Sequence, residues 1–464
     1  MAPAVALRIS PGQQPWRSSF PNILIVQQNP ETILYSQPKL KNQPAGDLAL
    51  SQRIAFIIYL LYNHFVNSIN IQRYVYSELC MPSHKATHQQ TKQHNRDLVL
   101  KTIIDHDAIS RAEIARRTNL TRATVSDMVT ILSREGLVRE VGYGESIGGK
   151  APILLSLVAD SRYLLGLYLA QDKFIGSVVN LRGEIKDSVE YPVNGNDREQ
   201  ALQLVYKILD QLIKKKWRPL VGIGVGTPGL VNTREGIVVS AVNLEWQDLP
   251  LGQLLEKKYK IPVLVLNDSQ ATAIGEFVYG GEHPGDQNLI VVNVKHGIGA
   301  GILINGRLFQ GDGGGAGEIG HVVVQENGEL CRCGKQGCLE TISSVRAVLK
   351  NLNLDSLDKA RACFEAGNPD AQRIISKAAQ YLGMSLASLV GTLNIQKIIL
   401  TGDMTCFGPA WLDVVDTSMR NAALLRLSKD TKLELGKLDY RACILGASAS
   451  LLLNGYSLLF QQEN

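Results

Sequence analysis

Three cysteines fall within eight residues of the segment HVVVQENGELCRCGKQGCLE. Cys331, Cys333 and Cys338 stand on a glycine-rich knuckle with His321 ten residues upstream, and three thiolates with one imidazole form a closed set of ligands for a tetrahedral zinc ion. Four protein ligands leave no position open for a substrate, so the expected zinc is structural, a clamp and not a Lewis acid. Three buried thiols beside an unrelated histidine would leave the same residues without a metal. The odd total of seven cysteines, three of them clustered, suits a reducing compartment better than a secreted disulfide framework. The expected address is cytoplasmic.

A second polar group falls at the ends of apolar runs. Asn267 and Asp268 close the run VLVLND, Glu318 and His321 lie in GAGEIGH, and Glu340 stands two residues beyond Cys338. A metal tying His321 to the knuckle would draw Glu318, His321 and Glu340 into one neighbourhood. Several carboxylates around an imidazole suit a polyhydroxylated ligand, a sugar. Taken singly, each of these residues could equally be a helix cap or a solvated loop position.

A third constellation precedes both. From Arg96, Leu98, Val99, Ile103 and Ile104 keep helical spacing up to Asp105. Ser110 and Glu113 have the spacing of a capping box, which starts a helix at Arg111. Thr121 can cap a third helix with Val125, Val129 and Leu132 on its apolar face and Gly136 as its stop. Two strand-like runs, Leu137 to Val141 and Ile153 to Leu157, flank a glycine-rich loop, and the whole reads as a winged helix-turn-helix. Side chains at the start of a recognition helix reach base edges in a major groove, which makes Arg122, Thr124 and Ser126 the candidate readers, with Thr121 at the helix start. Lys150, beside Gly148 and Gly149, could enter a minor groove from the wing, while Arg116, Arg117 and Arg139 could meet phosphates. A trihelical module that binds only protein would carry similar solvated charges.

These groups need elements to hold them. From Tyr163 onward, short β-branched runs alternate with helical stretches, which predicts an α/β architecture of two lobes around a cleft. The expected domains are an irregular extension over 1–90, a winged helix-turn-helix over 91–157 and a sugar-binding domain over 158–464. Within the last, a small lobe spans about 158–270 plus the C-terminal helix, and a large lobe about 271–442. The 464 residues, 45% hydrophobic and 20% charged with mean hydropathy near zero, fit roughly three soluble folding units at about 150 residues each. A net charge of +5 is too small to point to nucleic acid by itself, so the placement of the basic residues carries that case. No signal peptide is legible, and the apolar run Ile54 to Tyr62 falls short of the about 20 residues that a bilayer span needs. Residues 1–80 read as an upstream extension, because Met81 opens a stretch that runs directly into the first helical pattern.

Taken in order, GIGVGTPGLV, Asn267-Asp268, HGIGAGI, GAGEIGH and the CxCGxxGCxE knuckle, behind a winged helix-turn-helix, resemble the ROK family of repressors and sugar kinases over about residues 94–464. The resemblance implies a two-lobed actin-like ATPase (ribonuclease H-like) fold. It also implies that Asn267, Asp268, Glu318, His321 and Glu340 contact a sugar, with Asn243 and the turn at Gly229 close by. His321 would then give one ring nitrogen to zinc and the other to the sugar. Kinases of this fold open the domain with Asp-x-Gly-Gly-Thr, whose glycines let backbone N–H groups approach the ATP phosphates. Here the Asp position falls on Tyr168, the glycines on Ala170 and Gln171, and the Thr on Asp172, while Lys295 and His296 precede Gly297 in the second phosphate loop. The expectation is therefore a non-enzymatic, sugar-responsive repressor of carbohydrate-use genes that binds operator DNA as a homodimer or homotetramer, with Asp268 as a hydrogen-bond acceptor. The rival expectation is an ATP-dependent sugar kinase with an appended DNA-binding domain.

Overall fold

The computed structural model describes residues 87–145, 151–193, 198–215, 217–281, 287–453 and 455–460. The expected extension over residues 1–80, the run Ile54 to Tyr62, and the wing residues Gly148, Gly149 and Lys150 lie outside the described residues. Among those described, no helix is long and apolar enough to cross a membrane.

The first helix among the described residues, α1 (His88–Ile104), starts eight residues before Arg96, where its apolar periodicity begins, and inside the stretch expected to be irregular. Its start is set by polar chemistry: Thr87 Oγ1 accepts from Gln90 N, and Gln90 Oε1 accepts from Thr87 N, a complete capping box. A short strand β1 (Ile109–Ser110) leads to α2 (Arg111–Thr118) and α3 (Arg122–Arg134). The second capping box is only half formed. Ser110 accepts from Glu113 N, but the Glu113 carboxylate turns forward to Arg116 and Arg117. Past α3 the chain reverses at Gly136, where Leu137 N donates to Leu132 O and Gly136 N to Ser133 O, a left-handed stop that a glycine fills without strain. Strands β2 (Val138–Tyr143) and β3 (Ile153–Leu157) pair antiparallel to make the wing, with β1 on the other side of β3.

Two sheets with one topology follow. The first comprises β4 (Tyr163–Leu169), β5 (Lys173–Asn180), β6 (Ile185–Pro192), β7 (Leu220–Thr227) and, after a small meander of β8 (Leu230–Asn232), β9 (Ile237–Ala241) and β10 (Trp246–Leu249), the strand β11 (Val263–Asn267). Its order is β11-β7-β4-β5-β6. The second comprises β12 (Leu289–Val294), β13 (Ile298–Ile304), β14 (Arg307–Phe309), β15 (Lys397–Thr401) and β16 (Lys432–Leu435), in the order β14-β13-β12-β15-β16. In each sheet three strands form an antiparallel meander and two more add in parallel beside the first strand. The chain has thus built the same half twice, with a cleft between the halves.

Helices α4 (Arg198–Lys214) and α5 (Leu251–Tyr259) cover the first sheet, and α6 (Asp268–Tyr279) leads out of it. The second lobe adds α7 (Glu340–Ser343), α8 (Val345–Leu352), α9 (Leu357–Glu365), α10 (Pro369–Leu393), α11 (Gly408–Ala422) and α12 (Leu425–Ser428). The last helix, α13 (Arg441–Leu453), begins three residues earlier than the apolar run from Ile444 and returns to the first lobe. It crosses α6 at backbone distance, since a Cβ on Gly446 would lie 1.8 Å from Ala271 O. Gly446→Ala should therefore force the two helices apart at a cost of about 1–3 kcal/mol or more, read as a lower melting temperature. An unchanged melting temperature would show that the crossing has slack.

The winged module is not a separate bead. Val99, Leu100 and Ile103 of α1 and Val129 and Leu132 of α3 share one buried cluster with Leu164 and Val221 of the first lobe and with Leu459 near the C-terminus. Arg162 donates to both Leu459 O and Glu135 O, Arg182 donates to Ile104 O, and the Arg96 guanidinium lies 3.4 Å above the Phe460 ring. Buried apolar contact and guanidinium–carbonyl bonds together fix the module to the first lobe.

Candidate functional site

A cleft of about 810 Å³ separates the lobes, and Asn243, Asn267, Asp268, Glu318, His321 and Glu340 all line it. Residues almost a hundred positions apart in sequence are thus brought together. Each is held differently. Asn267 caps α6: its Oδ1 accepts from Ser269 N and Gln270 N, and its Nδ2 donates to Gly229 O. That role uses both lone pairs of the oxygen and leaves one N–H to offer a ligand. Asp268 opens α6, with Oδ1 accepting from Ser269 N at 2.8 Å. Burial raises its pKa, and the Lys295 ammonium pulls it back.

Glu340 is 5% exposed at the start of α7. Its Oε2 accepts from Ile298 N, and its Oε1 lies 3.2 Å from Arg346 Nη2 and 3.7 Å from Arg332 Nη2. Arg332 also donates to Asn243 Oδ1 across the cleft. Neither arginine was legible as a site residue: Arg332 sits between two metal-ligand candidates, and Arg346 reaches Glu340 across the helix break at Ser344, a spacing with no sequence signature. Glu318, like Asp268, is an acid whose pKa is raised by burial. Burial, with Asp268 and Glu340 nearby, pushes its pKa up to about 7. An unfolded glutamic acid titrates near 4.5, so between these values the folded chain binds more protons than the unfolded one, and stability falls as pH rises. Glu318→Gln cannot ionise and should lack this decline, so its melting temperature should gain on the wild type between about pH 5 and about pH 7.5. Parallel profiles would rule out the raised carboxyl.

The four metal-ligand candidates converge as the sequence suggested. His321 Nδ1 lies 3.6 Å from Cys331 Sγ, Cys333 Sγ lies 3.6 Å from Cys338 Sγ, and all four ligand atoms fall within 4.8 Å of one another. A tetrahedron with zinc–sulfur bonds of about 2.3 Å and zinc–nitrogen bonds of about 2.0 Å has edges of about 3.5–3.8 Å, so the cluster fits such an ion. The chemistry agrees. Burial and the neighbouring thiols push Cys338 up to about 12, so three thiolates can share this space only around a cation. With Nδ1 facing the thiols, the His321 Nε2 is left for the cleft.

At the winged module, Arg122 and Ser126 stand exposed at the start of α3, and Thr124 is half-buried. Thr121 caps the helix: its Oγ1 accepts from Thr124 N and shares a hydrogen bond with Thr124 Oγ1. Both threonines are thus partly engaged with each other. Arg116 and Arg117 are ion-paired to Glu113, each at 2.6 Å, and would have to leave it to meet phosphate. Arg139 is exposed on β2.

Comparison with known proteins adds the following. The family model described as ROK family matches residues 164–453, and one described as winged helix-turn-helix DNA-binding matches residues 96–139. A xylose repressor of Caldicellulosiruptor bescii is 33% identical over 388 residues, which cover 79% of this chain and 97% of that one. Among solved structures, a ROK family transcriptional regulator described as a homolog of E. coli MLC protein aligns with a TM-score of 0.68 at 27% identity, covering 77% of this chain and 95% of that one. A ROK family glucokinase from Streptomyces griseus, solved with glucose and AMPPNP, aligns with a TM-score of 0.56 at 25% identity, covering 63% of this chain and all of the kinase.

Proposed function

The chain belongs to the ROK family, and on that premise we propose that it is a cytoplasmic transcriptional repressor of carbohydrate-use genes whose cleft binds a sugar effector without phosphorylating it. The observation that carries this reading is the shared core between the winged module and the lobe that forms one wall of the cleft. A sugar held by Asn243, Asn267, Asp268, Glu318, His321 and Glu340 pulls on both lobes. A shift of the first lobe then moves the recognition helix with it. Zinc on His321, Cys331, Cys333 and Cys338 clamps the knuckle so that His321 and Glu340 hold their places; when bound it supplies structural cross-linking and no chemistry on the ligand.

Operator recognition falls to Arg122, Thr124 and Ser126 at the start of α3, with Thr121 orienting the helix, Lys150 entering a minor groove and Arg116, Arg117 and Arg139 adding phosphate contacts. A homodimer, or a tetramer built from it, would present two such helices to a two-fold operator, and sugar binding would change their spacing. The kinase alternative asks for an open phosphate cradle. Tyr168, Gln171 and Asp172 carry side chains at that turn, and Asp172 repels a triphosphate.

Two measurements test the reading. Fluorescence anisotropy of the full chain on its upstream regulatory DNA, with D-xylose, glucose or N-acetylglucosamine added, should show an affinity change of about 5- to 150-fold with one of them. Constant affinity across aldoses, amino sugars and their phosphates removes the effector half. A coupled ADP-release assay with the same sugars should stay at background, and turnover there would establish the kinase instead.

A further inference from the structure

Resting on the sugar-binding reading of the cleft, we propose that Lys295 and Tyr168 form a built-in clasp across its floor, which sets the separation of the lobes and makes sugar binding independent of a nucleotide. The two residues belong to different lobes. Tyr168 lies on β4 of the first lobe, 4% exposed, in one buried cluster with Ile175, Leu266, Ala271 and Ile444. Lys295 lies on the loop between β12 and β13 of the second. Its Nζ donates to Tyr168 Oη at 2.8 Å and sits 4.6 Å from the ring centroid. The loop is fixed on both sides, because Lys295 N donates to Gly297 O and Val345 N donates to Lys295 O.

Both partners line the cleft beside Asp268. The sequence places them at the end of β4 and on the β12–β13 loop, the two turns that would otherwise cradle a phosphate. Here those loops meet each other through a cation, a hydroxyl and a π face. Pulling the lobes apart would leave an ammonium in a cleft floor without its hydroxyl partner, a costly state, so the contact favours the closed spacing. A triphosphate would have to break this contact to enter. A nucleotide in a kinase draws two lobes together from outside the chain; Lys295 and Tyr168 do the same from within it. They act as positioning residues, since the sugar itself is held by other groups.

Tyr168→Phe removes one hydroxyl and keeps the ring, and Lys295→Met removes the charge and keeps the length. Hydrogen exchange of the full-length, sugar-free protein reads the clasp directly. Each variant should speed exchange in both loops, Tyr168–Asp172 of one lobe and Lys295–Gly299 of the other, whereas a purely local role loosens only the loop that carries the substitution. Calorimetric titration with D-xylose and N-acetylglucosamine should show each variant weakened about three- to tenfold, with the double variant no worse than the weaker single one. AMPPNP should leave the wild-type sugar affinity unchanged. Loosening confined to one loop, additive losses in the double variant, or tighter sugar binding with AMPPNP each overturn the clasp. If the wild type binds no sugar in the panel, the effector reading fails, and the exchange experiment still decides the clasp.

Discussion

Cys338→Ser is expected to take the metal content of the purified protein from about one zinc per chain to none and to abolish sugar binding with it. Metal binding by a knuckle of this kind contributes about 10–16 kcal/mol in isolated zinc-finger peptides, more than any single side chain in the cleft. Cys338 is fully buried, and no strand or α-helix carries the ligand candidates: isolated bridges pair Val323 with Cys338 and Leu330 with Gln336, and single backbone bonds such as Cys331 N to Lys335 O and Leu339 N to Val322 O complete the knuckle. The consequence reaches the cleft because the next two residues are Leu339 and Glu340, and because Thr341 Oγ1 donates to Cys338 O at 2.7 Å. Loss of the clamp frees His321 and Glu340 together. Elemental analysis, calorimetric titration with sugar and a melting curve check the three consequences. A serine variant that keeps its metal, or loses it with sugar affinity intact, would remove the clamp from the account.

Leu459→Ala should lower operator affinity tenfold or more while leaving the sugar-induced rise in melting temperature in place. The side chain is fully buried where α1, α3 and the first lobe meet, and truncating a leucine in such a core costs about 2–5 kcal/mol. Most of that cost falls on the docking of the winged module, since the cleft lies at the other end of α13. The geometry of that helix explains the separation. Tyr440, just before its first turn, lines the cleft; Cys443 shares a buried cluster with Tyr168 and Ala271; Leu451 and Leu452 in its last turn pack against the core that the winged module shares with the first lobe. Its close crossing with α6, which begins at Asp268, ties the wall of the cleft to the helix whose far end meets the shared core. Anisotropy on operator DNA and thermal shift with sugar read the two ends separately. Leu453→Ala, at a position 44% exposed, is the control and should change neither. Equal losses at both ends would show that Leu459 supports the whole fold.

Much of the local structure was legible because it rests on short-range chemistry. Thr121 and Ser110 start their helices where their side chains can accept a backbone N–H, and Gly136 stops α3 where the chain needs a left-handed turn. The start of α1 is not legible in the sequence, because a capping box on a polar stretch leaves no apolar period to read. Glu113 shows the opposite error. Its spacing from Ser110 fits a box, but two arginines three and four residues on compete for the same carboxylate, and both reach it. The residue type of Asn267 fits a ligand contact and a helix cap alike, and its hydrogen bonds are those of a cap that also borders the cleft.

The sequence alone determined the identity of the four metal-ligand candidates, the order of the motifs and the capped start of α3, because ligand type, turn chemistry and capping act over a few residues. Tertiary structure decided what those pieces do to one another. The sharing of Glu340 between Arg332 and Arg346, the contact of Lys295 with Tyr168, and the plug of Leu459 under α1 each join residues whose pairing no local pattern encodes. Such contacts depend on how two duplicated sheets and a returning C-terminal helix stack, which is set by the summed burial of many apolar side chains and not by any motif.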